Sequence, residues 1–180
     1  QGSVTPVVPV ISASGSLSSL STIYGTPSSS TSFTLSGTDL NTGVTVTPPA
    51  GFEVSTSSTF ASNVGNSSSP LVVGTSGNLS SSTVYVRLKA DASVAASPYS
   101  GNIVCSTSGA TSVNVATASS SVSTKTISIS GIAGANKVYD GNNTASYTGT
   151  PVYSGLANGE SFSVVGTPSA QFADSLVGIG

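Results

Sequence analysis

Few side chains in this 180-residue sequence are able to carry chemistry. The chain has six acidic residues, four basic residues and no histidine, so it lacks the usual base of a Ser-His or Cys-His pair and the commonest metal ligand. The carboxylates are far apart in sequence, at Asp39, Glu53, Asp91, Asp140, Glu160 and Asp174. We predict no catalytic residue, no cofactor and no enzymatic activity, although a glycosidase-type carboxylate pair assembled by folding stays open.

One short stretch, Asp140-Gly141-Asn142-Asn143, has the oxygen ligands that Ca²⁺ prefers. It lacks the D-x-[DN]-x-[DN]-G spacing and the distant bidentate glutamate of a calcium loop. Asp-Gly is also a strong signal for a hairpin turn. Asp140 and Asn142 are therefore metal-ligand candidates, with a hairpin turn as the favoured interpretation.

Two lysines and the single cysteine are the candidates for covalent chemistry. Lys125 or Lys137 could form an isopeptide bond with an asparagine beside a carboxylate, but the sequence marks no pair. Cys105 has no disulfide partner within the chain. Since the surrounding alternation points Cys105 inward, we expect a small buried hydrophobic residue rather than a reactive thiol.

Short β-strands are the elements that would position these residues. Thr83–Lys89 alternates without a break, as a half-buried strand does, with Val84, Val86 and Leu88 on one face. Two further runs follow, and together the three predict a meander. Their expected inward residues are Tyr99, Gly101, Ile103 and Cys105 in the second run, and Val113 and Val115 in the third.

Tyr99 has a predicted structural role. It follows the polar bend Asp91–Pro98 and begins a strand. In a sandwich with a tyrosine corner, a phenol at such a position bonds to backbone a few residues upstream. We therefore expect the hydroxyl of Tyr99 to contact the bend.

Composition restricts the class of protein. Ser and Thr supply 63 residues, charged residues are 6% of the chain, and the net charge is −2. The closest basic residues, Arg87 and Lys89, do not make a basic patch, so nucleic acid is not expected as a partner. No run reaches 18 apolar residues, so no membrane insertion is expected. The weakly charged, hydroxyl-rich chain suggests a secreted or cell-surface protein.

Turn signals divide the chain into two predicted domains. Residues 1–122 contain about seven short strands spaced by turns, which is typical of an immunoglobulin-like antiparallel β-sandwich. Prolines 6 and 9 predict an edge strand near Val10. Ala116–Thr124 has the composition of a linker, and Gly74–Ser82 that of a turn. Phe60 and Val64 are expected to anchor a long polar connection.

Residues 123–180 predict a second β domain, the start of a tandem sandwich. Asn158-Gly159 predicts a turn, and Phe162–Val165 a strand. With roughly five strands and no closing one, its sheet would present an unpaired edge. We therefore expect either a fragment of a longer polypeptide or a domain completed by a partner strand.

Two groups of motifs resemble known modules. Val46–Ser55 (VTPPAGFEVS), Thr83–Leu88 (TVYVRL) and Tyr99–Ile103 (YSGNI) resemble an immunoglobulin-like repeat of large secreted Bacteroidetes proteins. Asn136–Gly178, with KVYDGNNTASYTG, SGLANGESFSV and FADSLVG, resembles the YDG repeat of bacterial surface adhesins. The resemblance implies spacer repeats in very long secreted or surface proteins, some of them gliding adhesins, often exported by type IX secretion. The final strands of the YDG-type repeat and a C-terminal sorting domain are missing from the sequence.

Possible glycan sites come from short patterns. Asn66, Asn78 and Asn142 head N-x-[ST] sequons, which we interpret as chance matches in a Ser-rich chain. Asp174-Ser175-Leu176 fits the short O-glycosylation pattern associated with Bacteroidetes, so Ser175 is the predicted glycan site.

The favoured function is a structural spacer in a secreted or cell-surface adhesin. Its expected partners are neighbouring domains of the same long polypeptide and cell-surface or secretion machinery proteins. Two alternatives stay open: the domains accompany an exported enzyme, or the first domain binds glycans.

Overall fold

A computed structural model describes residues 7–161 and 168–176 of the chain. These residues are all-β, with a single 3₁₀ turn at Val94–Ala96 as their only helical element. Among them, no helix is long and apolar enough to cross a membrane. The chain divides into two compact units, residues 1–125 and 126–180.

Ten strands form the described part of the first unit, where the sequence predicts about seven. They are β1 (Val10–Ser14), β2 (Ser21–Ile23), β3 (Thr31–Leu40), β4 (Val44–Thr47), β5 (Phe52–Ser55), β6 (Val64–Asn66), β7 (Leu71–Val73), β8 (Gly77–Leu88), β9 (Tyr99–Ser106) and β10 (Val113–Ser123). One sheet has the order β1-β3-β8-β5-β6 and the other the order β2-β10-β9-β4-β7. β1 is an edge strand, as the prolines before it predict.

The two sheets share one hydrophobic core. Most of the strands contribute their inward alternate residues, so the core is filled by branched and aromatic side chains from both layers. Val84, Val86 and Leu88 of β8 are fully buried, which confirms the alternation of the predicted strand. The largest fully buried side chains from the other strands are Phe52, Leu35, Ile103, Val44, Val46 and Val54.

The pairing of β2 with β10 corrects the expectation of a purely antiparallel sandwich. These strands run parallel, with Ser21 opposite Ser121 and Ile23 opposite Ser123. The short β2 continues from the edge of the first sheet and joins the last strand of the second. Every other pair between described strands is antiparallel.

The predicted linker is also wrong. Ala116–Ser123 belongs to β10, because Ser120 and Val122 are buried and the strand pairs with both β9 and β2. Small polar residues therefore form a strand where two neighbours supply the hydrogen bonds.

Three smaller expectations fail in the first unit. The predicted turn at Gly74–Ser82 is mostly strand, since β8 already begins at Gly77 and pairs with β3. Gly101 is exposed at a φ of 153°, which interrupts the alternation of β9. Phe60 is buried as predicted, whereas Val64 is exposed on the edge strand β6.

Four strands are described in the second unit: β11 (Ser128–Gly134), β12 (Thr144–Ala145), β13 (Tyr147–Ser154) and β14 (Ala170–Gln171). These described strands form two two-stranded sheets, β11-β13 and β12-β14. Large apolar side chains such as Ile129 and Val152 are exposed. Asn158 and Gly159 form the predicted turn, both with positive φ. The predicted strand Phe162–Val165 lies outside the described residues.

Candidate functional site

A long hairpin connection in the second unit contains the metal-ligand candidates. β11 and β13 are paired up to Gly134 and Tyr147, and the backbone N–H of Ala135 donates to Ser146 O at 2.9 Å. Asp140 and Gly141 therefore lie at the tip of the connection, midway between the paired ends. Gly141 has a φ of 76°, a conformation that glycine adopts without strain.

The ammonium group of Lys137 binds the oxygens that the sequence offers to a metal. Lys137 Nζ lies 2.7 Å from Asp140 Oδ1, 2.9 Å from Asn142 O and 2.7 Å from Asn142 Oδ1. These three contacts match the three donors of an ammonium. The loop thus carries its own cation, and Ca²⁺ would have to displace it.

Further hydrogen bonds fix the same loop. The backbone N–H of Asn142 donates to Asp140 Oδ1 at 3.1 Å, and that of Thr144 donates to Asn142 Oδ1 at 3.0 Å. The hydrogen bond from Lys137 lowers the pKa of the Asp140 carboxyl below its ordinary value, with the Asn142 N–H adding to the effect. Asp140 is therefore ionised at neutral pH.

This arrangement bears directly on the predicted isopeptide bond. The structure does bring Lys137, an asparagine and a carboxylate together. The Lys137 ammonium that is paired with Asp140 has no lone pair with which to attack the Asn142 amide. Lys125 has no ion pair or side-chain hydrogen bond within the described residues. The geometry therefore favours an ion-paired loop over a cross-link.

A second segment closes a cleft against this loop. The backbone N–H of Phe172 donates to Asn143 O at 2.8 Å, directly after the β12-β14 pair. Asp174 Oδ1 accepts the N–H of Leu176 at 2.8 Å, which shapes the segment as a turn. The cleft has a volume of about 470 Å³, and its lining includes Lys137, Tyr139, Asn142, Phe172, Asp174 and Ser175.

The predicted glycan positions have different surroundings. Ser175 is exposed and lines the cleft. The side-chain oxygen of each sequon asparagine accepts hydrogen bonds from backbone N–H groups. Asn66 accepts from Ser68 and Ser69, Asn78 accepts from Asp39, and Asn142 accepts from Thr144. These bonds give each asparagine a local structural role.

Tyr99 makes the hydrogen bond that its position predicts. Its hydroxyl donates to Ser93 O, six residues upstream, at 2.7 Å. The ring also contacts the edge of Phe52, with a centroid distance of 6.4 Å and an interplanar angle of 86°. The bend before β9 is thus attached to the core through one side chain.

Cys105 is fully buried in β9. Burial raises the pKa of its thiol to about 11, because the thiolate would lose its hydration. At neutral pH the residue is a protonated thiol in the core, which is the packing role that its inward position predicts.

An ion pair on the outer surface of the first sheet was not predicted. Arg87 Nε lies 2.7 Å from Glu53 Oε1, and the guanidinium carbon lies 4.0 Å from the centre of the Phe60 ring. The sequence shows opposite charges on two alternating runs. Those charges predict an ion pair only if β5 is known to pair with β8, and the sequence does not show that pairing. With Lys89–Asp91 and Lys137–Asp140, this pair engages three of the six carboxylates.

Comparison with known proteins identifies part of the chain. A YDG domain is found at residues 123–180, in agreement with the motifs of the second unit. Neither curated proteins nor solved structures give a significant match to the chain.

Proposed function

We propose that the chain, with its YDG domain, is a structural spacer of a large secreted or cell-surface bacterial adhesin. The observation that carries this proposal is the path of the chain through the first unit. The chain passes from one end of that unit to the other, and its short second strand, β2, is bonded side by side with the last strand, β10, in the same direction.

The contacts of the N-terminal segment establish this direction. Pro9 lies beside Gly109, in the turn before β10. Ala13 and residues 15–17 line the same groove as residues 114–118, and Ser21 pairs with Ser121. The segment therefore follows β10 from its start to its end, a length of about 35 Å for 11 residues at the usual rise per residue.

Hydrogen bonds between these segments oppose extension. The N–H of Ser121 donates to Leu20 O and the N–H of Tyr24 donates to Ser123 O, each at 2.9 Å. A buried bond from the N–H of Leu20 to Ser120 Oγ, at 3.0 Å, adds to them. Tension on the chain pulls parallel strands past each other, so these bonds resist together instead of opening one after another. Such a connection suits a spacer under load.

The strand order supports an immunoglobulin-like classification of the first unit. The neighbours β1-β3-β8-β5 match the A-B-E-D sheet of that fold, and β10-β9-β4 match the G-F-C sheet. The unit differs from that fold in the connection between β4 and β8. This connection forms β5 and β6 in the first sheet and β7 in the second sheet before it returns to the first sheet as β8. We propose that this unit is an immunoglobulin-like repeat in which that connection is elaborated.

Pulling single molecules of the whole chain by its two ends tests the spacer proposal. The variant S121P removes the N–H that bonds to Leu20 O, and we expect the unfolding force of the first unit to fall. The matched control, V46A, creates a core cavity in β4, which does not pair with β2 or β10. If S121P and V46A lower the force in simple proportion to their losses of equilibrium stability, the parallel pair has no special mechanical role and the proposal fails.

Labelling of cells tests the location. An antibody against the first unit is expected to label intact cells of the source organism, with a cytoplasmic protein as the control that is labelled only after lysis. Labelling that requires lysis for both proteins would contradict a secreted or surface location.

A further inference from the structure

We propose that the cleft between the Lys137 loop and residues 172–176 binds a neutral pyranose sugar. This binding activity is additional to the spacer function and does not depend on it. The proposal rests on three features of the cleft: exposed aromatic rings, uncommitted polar groups and the sign of its charge.

Two aromatic side chains remain open to solvent in this cleft. Tyr139 is 63% exposed and Phe172 is 40% exposed, although aromatic rings are usually buried for their large apolar area. A pyranose ring presents a face of C–H groups, which packs against an aromatic ring while its hydroxyls stay hydrated at the rim. The rings therefore supply the apolar part of a sugar site.

Polar atoms around the rings lack partners within the described residues. Asn142 Nδ2, Asp174 Oδ2, Ser175 Oγ and the Tyr139 hydroxyl make no hydrogen bond there. They comprise a donor, an acceptor and two hydroxyl groups that can act as either. Adjacent sugar hydroxyls, each both donor and acceptor, complement such a set. Pockets for small molecules combine apolar walls with a few polar groups in this way.

The charges of the cleft select against anions. The Lys137 ammonium is committed to Asp140 and Asn142, at 2.7 to 2.9 Å. Asp174 has no basic partner among the described residues. A carboxylate, sulfate or phosphate on the ligand would approach this uncompensated charge. A neutral sugar avoids the repulsion and can donate a charge-assisted hydrogen bond to Asp174.

The polar groups are also held in position before binding. Asn142 is fixed through its Oδ1 by Lys137 and Thr144, and Asp174 through its Oδ1 by the N–H of Leu176. Asn142 Nδ2 and Asp174 Oδ2 therefore stay available for hydrogen bonds to a ligand. Such preorganisation reduces the entropy lost on binding, and the volume of about 470 Å³ accommodates one or two sugar rings.

NMR titration of the full, unglycosylated chain tests the proposal. Methyl β-D-glucopyranoside, methyl β-D-galactopyranoside and N-acetylglucosamine are the probes, and at least one is expected to shift the amide signals of Tyr139, Asn142 and Phe172 with millimolar affinity. The variant Y139A is expected to weaken that binding by about three- to tenfold, the usual value of an aromatic contact. The matched control V138A changes the adjacent side chain, which is 89% exposed and outside the cleft lining, and leaves affinity unchanged.

Asp174 provides an independent test of ligand charge. Wild-type protein is expected to bind glucuronate more weakly than the neutral glucoside. The variant D174N keeps the Oδ1 acceptor for Leu176, loses affinity for the neutral sugar and reduces its discrimination against glucuronate. Absence of shifts with every probe, or equal binding by wild type and Y139A, overturns the proposal, whereas neither result affects the mechanical test of the first unit.

Discussion

The ring of Tyr99 lies directly against Gly51. A Cβ atom at Gly51 would come within 2.3 Å of two Tyr99 ring carbons, far inside van der Waals contact. Gly51 also has a φ of 83°, which side chains rarely adopt. The turn before β5 and the first residue of β9 therefore fit together only because position 51 has no side chain.

Replacing this glycine should be strongly destabilising. We expect G51A to lower the free energy of unfolding by about 2–5 kcal/mol, because overpacking adds to backbone strain. Gly77 is the matched control, since it has a φ of 96° but no atom within 4 Å of its Cβ position. G77A should lose only the strain contribution, about 1–2 kcal/mol. Equal losses in denaturant unfolding would show that the Tyr99 contact is unimportant.

The Tyr99 hydroxyl can be tested separately from its ring. Y99F removes the bond to Ser93 O but keeps the packing on Phe52, so a loss of about 1 kcal/mol is expected. The control is Y85F, because the Tyr85 hydroxyl makes no hydrogen bond within the described residues, and it should be near neutral. Thermal unfolding of the two variants measures the difference. Similar melting temperatures would contradict the role assigned to the hydroxyl.

Local alternation was enough to predict the inward face of β8, and the position of Tyr99 after a polar bend was enough to predict its hydrogen bond. Val84, Val86 and Leu88 are all fully buried, as the predicted strand Thr83–Lys89 requires, because the alternation of a half-buried strand is visible in consecutive residues. The parallel β2-β10 pair was missed because it joins residues 100 positions apart. The linker prediction for residues 116–124 was wrong for the same reason. The pairing of residues 116–123 with β9 and β2 is not visible in their own composition.

The buried thiol predicts a pH dependence of stability. Burial raises the pKa of Cys105 from 9.0 to about 11, so the unfolded chain loses this proton first as pH rises. The contribution is therefore fully present below pH 9 and is lost between pH 9 and pH 11. We expect stability to fall more steeply with pH in this window for wild type than for C105A. Identical slopes in urea unfolding would contradict the assigned burial effect.

The Lys137–Asp140 pair predicts an acid-side effect. Since the pKa of Asp140 is lowered in the folded state, its contribution is present above the unfolded value and is lost as pH falls. In K137M, the ¹³C titration of the Asp140 carboxyl should move back towards its ordinary range. V138A is the control and should leave that titration unchanged. An unaltered titration in K137M would mean that another group causes the shift.

For the second unit, the sequence indicated the residues but not their arrangement. Asp140 and Asn142 were singled out as metal ligands, Lys137 for an isopeptide bond and Ser175 as a glycan site. They share one region because the N–H of Phe172 bonds to Asn143 O and β14 pairs with β12. These pairings join residues nearly 30 positions apart through two-residue strands, which are too short to produce a periodic signal.

The Arg87–Glu53 pair should contribute more than an ordinary surface ion pair. Both side chains are largely shielded, at 22% and 15% exposure, and the guanidinium also stacks on Phe60. A double-mutant cycle with R87A and E53A is expected to give a coupling energy of about 1 kcal/mol.

The control cycle uses Lys89 and Asp91, whose side chains are 32% and 58% exposed at an N–O distance of 3.1 Å. Greater solvent screening should reduce that coupling to about 0–0.5 kcal/mol. Raising the salt concentration should then weaken the Lys89 coupling proportionally more than the Arg87 coupling. If both cycles give the same energy and the same salt response, the Phe60 side chain and the partial burial add nothing to the Arg87 pair.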